Sequence, residues 1–313
     1  MDGAGSLPQV HGRPMVTDGG METDLIFHHG IDLPHFAAFP LLESARGQAL
    51  LADYYDGYAA IARRAGAGLV LESSTWRANP DWGGRLGYSA ADLARVNTAA
   101  IALLARLRER YETTVTDIVV SGMVGPQDDD YQPGQLPSAD EAAAYHRPQI
   151  DAFAQAGADM VSALTLTSTG EAIGIVRASR AAGLQVTISF TVETDGRLPG
   201  GLSLAQAITE VDDAGGPDYF MVNCAHPTHI EPALAEPGPW RERLVGVRYN
   251  ASAKSRAELD QATELDDGSP RLLAAAHAQL SPLLPRLSVV GGCCGTDARH
   301  VAALWRAGRD ADW

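Results

Sequence analysis

The chain has three cysteines, and all of them lie where their sulfurs could meet on one metal ion. Cys224 ends the apolar run Tyr219-Phe220-Met221-Val222-Asn223-Cys224. Cys293 and Cys294 end the run Leu287-Ser288-Val289-Val290-Gly291-Gly292-Cys293-Cys294-Gly295. Three thiolates form a soft donor set suited to zinc, and three protein ligands leave a fourth position open for chemistry. Successive side chains of a regular strand point to opposite faces, so two adjacent cysteines need a relaxed backbone to aim at one ion. Gly291, Gly292 and Gly295 can supply that relaxation. No C-x-x-C clamp accompanies them. Free cysteine is also a small buried apolar residue, so a packing role stands beside the metal reading.

These residues need a scaffold that brings distant parts of the chain to one place. Short β-rich runs recur at 15–17, 68–72, 118–124, 160–166, 185–191, 219–224, 244–249 and 287–291. Alanine-rich stretches with helical periodicity fill the intervals, at 45–65, 90–110, 138–156, 170–182, 204–213, 257–280 and 297–307. Alternation of this kind implies right-handed crossovers and a parallel sheet. Eight strand–helix units in one chain of this length predict a single α/β domain, a (β/α)8 TIM barrel. Such barrels carry their active sites at the carboxyl ends of the strands. Cys224 then ends strand six and Cys293 with Cys294 ends strand eight, at the same mouth. Asp18-Gly19-Gly20-Met21-Glu22-Thr23, Glu72-Ser73-Ser74-Thr75-Trp76 and Glu193 fall at the equivalent ends of their own strands. That convergence favours a metal over packing. The domain is expected over 14–313, behind a disordered or loosely attached leader at 1–13, with a polar exposed loop at 128–135.

Composition excludes several classes. Twenty-four basic residues against thirty-nine acidic ones give a net charge of −15, which argues against a nucleic-acid partner. No apolar run is long enough to span a bilayer, and no secretory leader is visible. Three cysteines cannot pair completely, and a reducing cytoplasm would keep them free for metal. Neither a Walker lysine nor a G-x-G-x-x-G pattern accompanies the glycine-rich turns. His226 follows Cys224 by two residues and could share its face; His28 and His29 fit solvated loop positions.

Gly291-Gly292-Cys293-Cys294-Gly295-Thr296, with Val222-Asn223-Cys224 far upstream, resembles the zinc signature of the homocysteine S-methyltransferase family. Thr17-Asp18-Gly19-Gly20-Met21-Glu22-Thr23 looks like that family's opening motif. Ser189-Phe190-Thr191, Gly196-Arg197-Leu198 and Glu171-Ala172 are also similar to its pattern. The resemblance implies a zinc ion held by Cys224, Cys293 and Cys294. It also implies methyl transfer to a thiol from a small onium donor, S-methylmethionine or S-adenosylmethionine, with betaine as a further option. Substrate contacts are expected from Asp18, Gly19, Gly20, Glu72, Trp76 and Asn223. Aromatic faces suit a cationic donor, and Trp76 and Trp82 follow strand two; packing beside the mouth is the alternative for either.

Two departures bear on the acceptor. Family members acting on homocysteine usually carry a glutamate after strand four that holds the amino group; here Leu164 occupies that place. Asp18, which helps bind the same group, is retained. Glu72, where the family often has Thr-Asn-Thr-Tyr, is a candidate replacement, and the alternative is an ion pair with Arg77 or Arg85. The strand-seven segment Arg248-Tyr249-Asn250-Ala251-Ser252 also differs from the family's Tyr-Pro-Asn-Ser-Gly. The expected conversion is homocysteine to methionine in the cytoplasm, with small-molecule partners only and no assigned oligomeric state. The rivals are methylation of a different thiol and a non-catalytic barrel with a structural zinc.

Overall fold

A computed structural model describes residues 6–127, 136–260 and 264–306. Eight parallel strands close into a barrel in sequence order. They are β1 (Met15–Val16), β2 (Gly68–Glu72), β3 (Ile118–Val124), β4 (Met160–Leu166), β5 (Gln185–Phe190), β6 (Tyr219–Ala225), β7 (Leu244–Tyr249) and β8 (Val289–Gly292). The helices are α1 (Met21–Phe27), α2 (Ala45–Ala65), α3 (Pro80–Arg85), α4 (Ala90–Tyr111), α5 (Ala139–Gln155) and α6 (Thr169–Ala181). They continue with α7 (Leu204–Asp213), α8 (Pro227–Ala233), α9 (Arg256–Asp260), α10 (Pro270–Leu280) and α11 (Ala298–Arg306). Serine begins many of the outer helices for a local reason. Ser44, Ser89, Ser138, Ser168, Ser203 and Ser269 each accept an N–H from the first turn of α2, α4, α5, α6, α7 and α10. Without such acceptors these N–H groups lack an intrahelical partner.

Alternation along the strands sorts the chain into layers. Leu69 and Leu71, one residue out of phase with Val70 and Glu72, join the core between sheet and helices. Val70 joins Met15, Val119, Met160, Tyr219, Met221 and Val289 in an apolar plug inside the lower barrel. Above the plug the inward residues turn polar: Thr17, Glu72, Ser121, Ser162, Ser189, Asn223 and Arg248, all buried. Ser121 and Ser162 hydrogen-bond across β3 and β4 at 2.7 Å. This polar layer is the floor of the barrel mouth.

Two expectations change. The loose leader does not hold for residues 6–13, whereas 1–5 lie outside the described residues. Leu7 is buried in the lower plug, and Gln9 donates to Tyr219 Oη at 3.2 Å. The chain's own N-terminal turn therefore seals the bottom of the barrel. The single helix at 257–280 is two, α9 and α10. Gly268 takes φ +54°, and Pro270 cannot continue a helix begun before it, so Pro270 starts a new one. The polar loop at 128–135 lies outside the described residues. No described helix is long and apolar enough to cross a membrane.

Gly122 faces outward from β3, where an added Cβ would sit 2.2 Å from the ring of fully buried Phe153 on α5. Gly122→Ala should lower unfolding stability by about 1–3 kcal/mol through overpacking. Denaturant titration checks this, and an unchanged midpoint would show that Phe153 can step aside.

Candidate metal and substrate site

The cysteines converge through two distinct backbone devices. In β6, Asn223 is buried and faces inward, so regular alternation would send Cys224 outward. Instead Cys224 adopts φ +56°, and the pairing with β7 shifts register between Asn223 and Ala225. This left-handed residue re-aims the sulfur into the mouth, at a strain cost that surrounding structure must offset. Asn250 holds it there, donating to the Cys224 carbonyl at 3.0 Å. After β8, Gly295 takes φ +77°, and Thr296 Oγ1 closes the turn by donating to the Cys293 carbonyl at 2.7 Å.

The three sulfurs lie within 4.8 Å of one another, and Cys224 and Cys294 are 3.7 Å apart. That is far from a disulfide, whose S–S bond is about 2.05 Å. Tetrahedral bonds of about 2.3 Å to one zinc ion would hold sulfurs roughly 3.8 Å apart, so the donor set fits. The thiols also compete for protons. The hydrogen bonds from Cys224 and Cys294 push Cys293 well below the ordinary thiol range, helped by the Arg248 charge. Its hydrogen bond to Cys293 pushes Cys224 well above it. Asn223 Nδ2 approaches the Cys293 sulfur at 3.7 Å. The main work of Asn223 is structural. Its amide oxygen accepts from Thr165 N (2.8 Å) and Ser189 Oγ (2.7 Å), and its nitrogen donates to Thr165 Oγ1 (2.8 Å), so it staples β4, β5 and β6.

Beneath the sulfurs lies a buried ion cluster. An arginine side chain has five N–H donors, and Arg248 has an acceptor for each. Nε donates to the Gly292 carbonyl (2.9 Å); Nη1 donates to Glu72 and lies 3.5 Å from Thr17 Oγ1; Nη2 donates to the Gly19 carbonyl (3.0 Å) and to Asp18 (2.5 Å). Asp18 also accepts from Tyr54 Oη at 3.1 Å. Burial pushes the Asp18 and Glu72 carboxyls up, and the Arg248 charge opposes that. The partner of Glu72 is thus Arg248 rather than Arg77 or Arg85. The Glu72 side chain lies below the cavity wall, whereas Asp18, Gly19, Gly20, Trp76 and Asn223 contribute to it.

The mouth is a cavity of about 830 Å³ whose wall includes the three cysteines, Glu22, Ser73, Ser74, Leu164, Glu193 and Arg248. Trp76 lines it and donates Nε1–H to the Leu164 carbonyl at 3.4 Å, with the Arg77 guanidinium 4.9 Å from its ring centroid. Trp82 does not serve the cavity: Arg77 and Arg85 lie over its ring at 3.7 and 4.1 Å. His226 caps its own helix, accepting from Thr228 N at 3.3 Å, and burial pushes its pKa down to about 4. His28 pairs with Asp24 at 2.8 Å. Glu171 fixes the scaffold by accepting from Gln127 N at 2.7 Å and bonding His146 at 2.8 Å. Sequence reasoning missed two residues of the mouth. Arg248 was visible only as a departure in strand seven, and Glu22 was one letter of the opening motif. A basic residue facing inward on an otherwise apolar strand was the signal for Arg248. Arg248→Met should destabilise the fold by about 3–5 kcal/mol, because it leaves Asp18 and Glu72 as buried carboxylates without a counter-charge. Calorimetric unfolding checks it, and a loss below 1 kcal/mol would mean both carboxylates fold protonated.

The comparisons with known proteins agree with this geometry. A sequence model described as homocysteine S-methyltransferase matches residues 15–307. The chain is 24% identical over 277 residues to the Homocysteine S-methyltransferase of Escherichia coli, covering 80% of this chain and 81% of that protein. It is 23% identical over 314 residues to Homocysteine S-methyltransferase 1 of Arabidopsis thaliana, covering 93% and 92%. Its fold is similar to the crystal structure of the homocysteine methyltransferase MmuM from Escherichia coli in its metallated form. The TM-score is 0.71 at 23% identity, with 94% of this chain and 96% of that chain covered. The oxidized form of the same protein gives a TM-score of 0.73 at 22% identity, covering 93% and 94%. With three converging thiols beside a substrate-sized cavity, and a family match over nearly the whole length, the chain is a methyltransferase and belongs to the homocysteine S-methyltransferase family.

Proposed function

We propose that this protein is zinc-dependent and transfers a methyl group from a small onium donor to the thiol of homocysteine, giving methionine. The observation that carries the reading is the trio of sulfurs, spaced for one zinc ion and opening on the cavity. Zinc held by Cys224, Cys293 and Cys294 would supply a Lewis acid that keeps an added thiol deprotonated and nucleophilic. The chain's residues do the rest. Asn223 and the turn closed by Thr296 fix the Cys293 sulfur from two sides. Arg248 keeps positive charge beneath Cys293 and so favours its thiolate. Trp76 and Leu164 border the space in which donor and acceptor must meet, with the methyl carbon held in line between two sulfurs. Transfer breaks the donor's S–CH3 bond and forms the acceptor's, and the donor leaves as a neutral thioether. Free thiols suit a reducing cytoplasm, and the strong negative charge suits small-molecule rather than nucleic-acid partners.

A second reading, methylation of a thiol other than homocysteine, is favoured by Leu164 and by the engagement of Asp18 with Arg248. The two separate in one assay. Zinc-loaded protein is incubated with homocysteine and S-methylmethionine, with S-adenosylmethionine in parallel, and methionine is quantified. Methionine formation that stops on chelation and returns with zinc is expected. Stoichiometric zinc without methionine from either donor would move the search to other thiols. Cys293→Ala should lose zinc and at least ~100-fold of activity, since removal of one ligand opens the site; retention of both would sink the ligand assignment.

A further inference from the structure

Homocysteine carries an α-ammonium group only a few bonds from its sulfur, and a buried site must give that charge a partner. The two carboxylates expected to do so are committed elsewhere. Glu72 is bound to Arg248 and lies outside the cavity wall. Asp18 reaches the wall, but its two oxygens already accept from Arg248 and Tyr54. Arg248 has no N–H left to give. Leu164 offers no charge.

Glu22 is different. It is the second residue of α1, half-buried and lining the cavity; its carboxyl is met by its own backbone N–H, and among the described residues it has no ion pair. Its position relative to the sulfurs is fixed by the backbone. Gly20 N donates to the Thr296 carbonyl at 3.0 Å, and Gly295 N donates to Thr23 Oγ1 at 3.0 Å. A Cβ on Gly20 would meet the Cys293 carbonyl at 2.4 Å, so glycine is what lets α1 begin against the cysteine turn. Of the cations on the cavity wall, Lys254 pairs with Asp266 at 2.9 Å, and Arg77 lies over the rings of Trp76 and Trp82. The site therefore holds a carboxyl group without an ion-pair partner on the segment that is hydrogen-bonded to the turn carrying two of the three thiols. Burial pushes the Glu22 carboxyl up to about 7, against the pull of its own backbone N–H and of Arg248, so a cation beside it would favour its charged form.

We propose that Glu22 binds the α-ammonium group of the acceptor and selects amino-acid thiols over thiols that lack it. This rests on homocysteine as the acceptor and names the residue that recognises it. Glu22 takes up at the base of α1 the charge-pairing that Leu164 cannot provide.

The test compares homocysteine with 4-mercaptobutanoate, the same skeleton without the amino group, in wild-type protein, Glu22→Gln and Glu22→Ala. All are zinc-loaded and checked for equal zinc content and melting temperature. Loss of a charged hydrogen bond should raise the homocysteine KM and its calorimetric Kd roughly tenfold to a hundredfold. The same substitutions should leave 4-mercaptobutanoate binding within about twofold. Equal losses for both thiols, or a rise confined to the KM of the methyl donor, overturn the proposal. The calorimetric arm separates the two levels of inference. A Glu22-dependent homocysteine Kd in a protein that forms no methionine would reject the conversion and keep the binding role. Methionine formation with an unchanged Kd in Glu22→Gln would do the reverse.

Discussion

The guanidinium of Arg248 is the interaction on which the mouth of this barrel depends. A closed sheet of eight strands encloses a narrow interior, and here the upper half of that interior is polar. An arginine in such a place is tolerable only if every N–H is met and its charge is balanced. Its five donors reach side chains or carbonyls on β2 and β8 and in the segment just after β1, while Arg248 itself belongs to β7. The cluster joins first and last strands where the barrel closes, beneath the turn that carries Cys293 and Cys294. Packing and chemistry are therefore not separable here: the groups that close the barrel also set the electrostatic floor of the site.

The thiols illustrate the same economy from the other side. Cys224 reaches the mouth only because its backbone enters the left-handed region, an uncommon conformation for a residue with a side chain. Asn250 grips its carbonyl, and Asn223 beside it ties three strands together. The neighbours that hold this strain are thus the same residues that fix the sulfur's direction. Glycine solves the equivalent problem after β8, where Gly295 turns and Gly20 lets α1 approach.

Much of this was legible in the sequence, and the remainder was hidden for definite reasons. Strand periodicity placed β2, β3, β4 and β7 to the residue, because buried parallel strands write themselves as short β-branched runs between turn signals. The cysteines were legible because a parallel barrel brings all strand ends to one face. Glu72 was misjudged because its partner is 176 residues away, beyond any local pattern. The turn at residues 8–11 looked like loose leader because its burial depends on a barrel floor that exists only after closure. The break before α10 was, by contrast, readable in Pro270 itself. The helical periodicity across residues 257–280 outweighed it.

The sealed floor has a consequence for turnover. Leu7 and Gln9 fill the lower barrel, so among the described residues the sulfurs are approached through the mouth. A donor and an acceptor entering by that mouth would share one doorway, so each would reach the sulfurs past the same wall of residues.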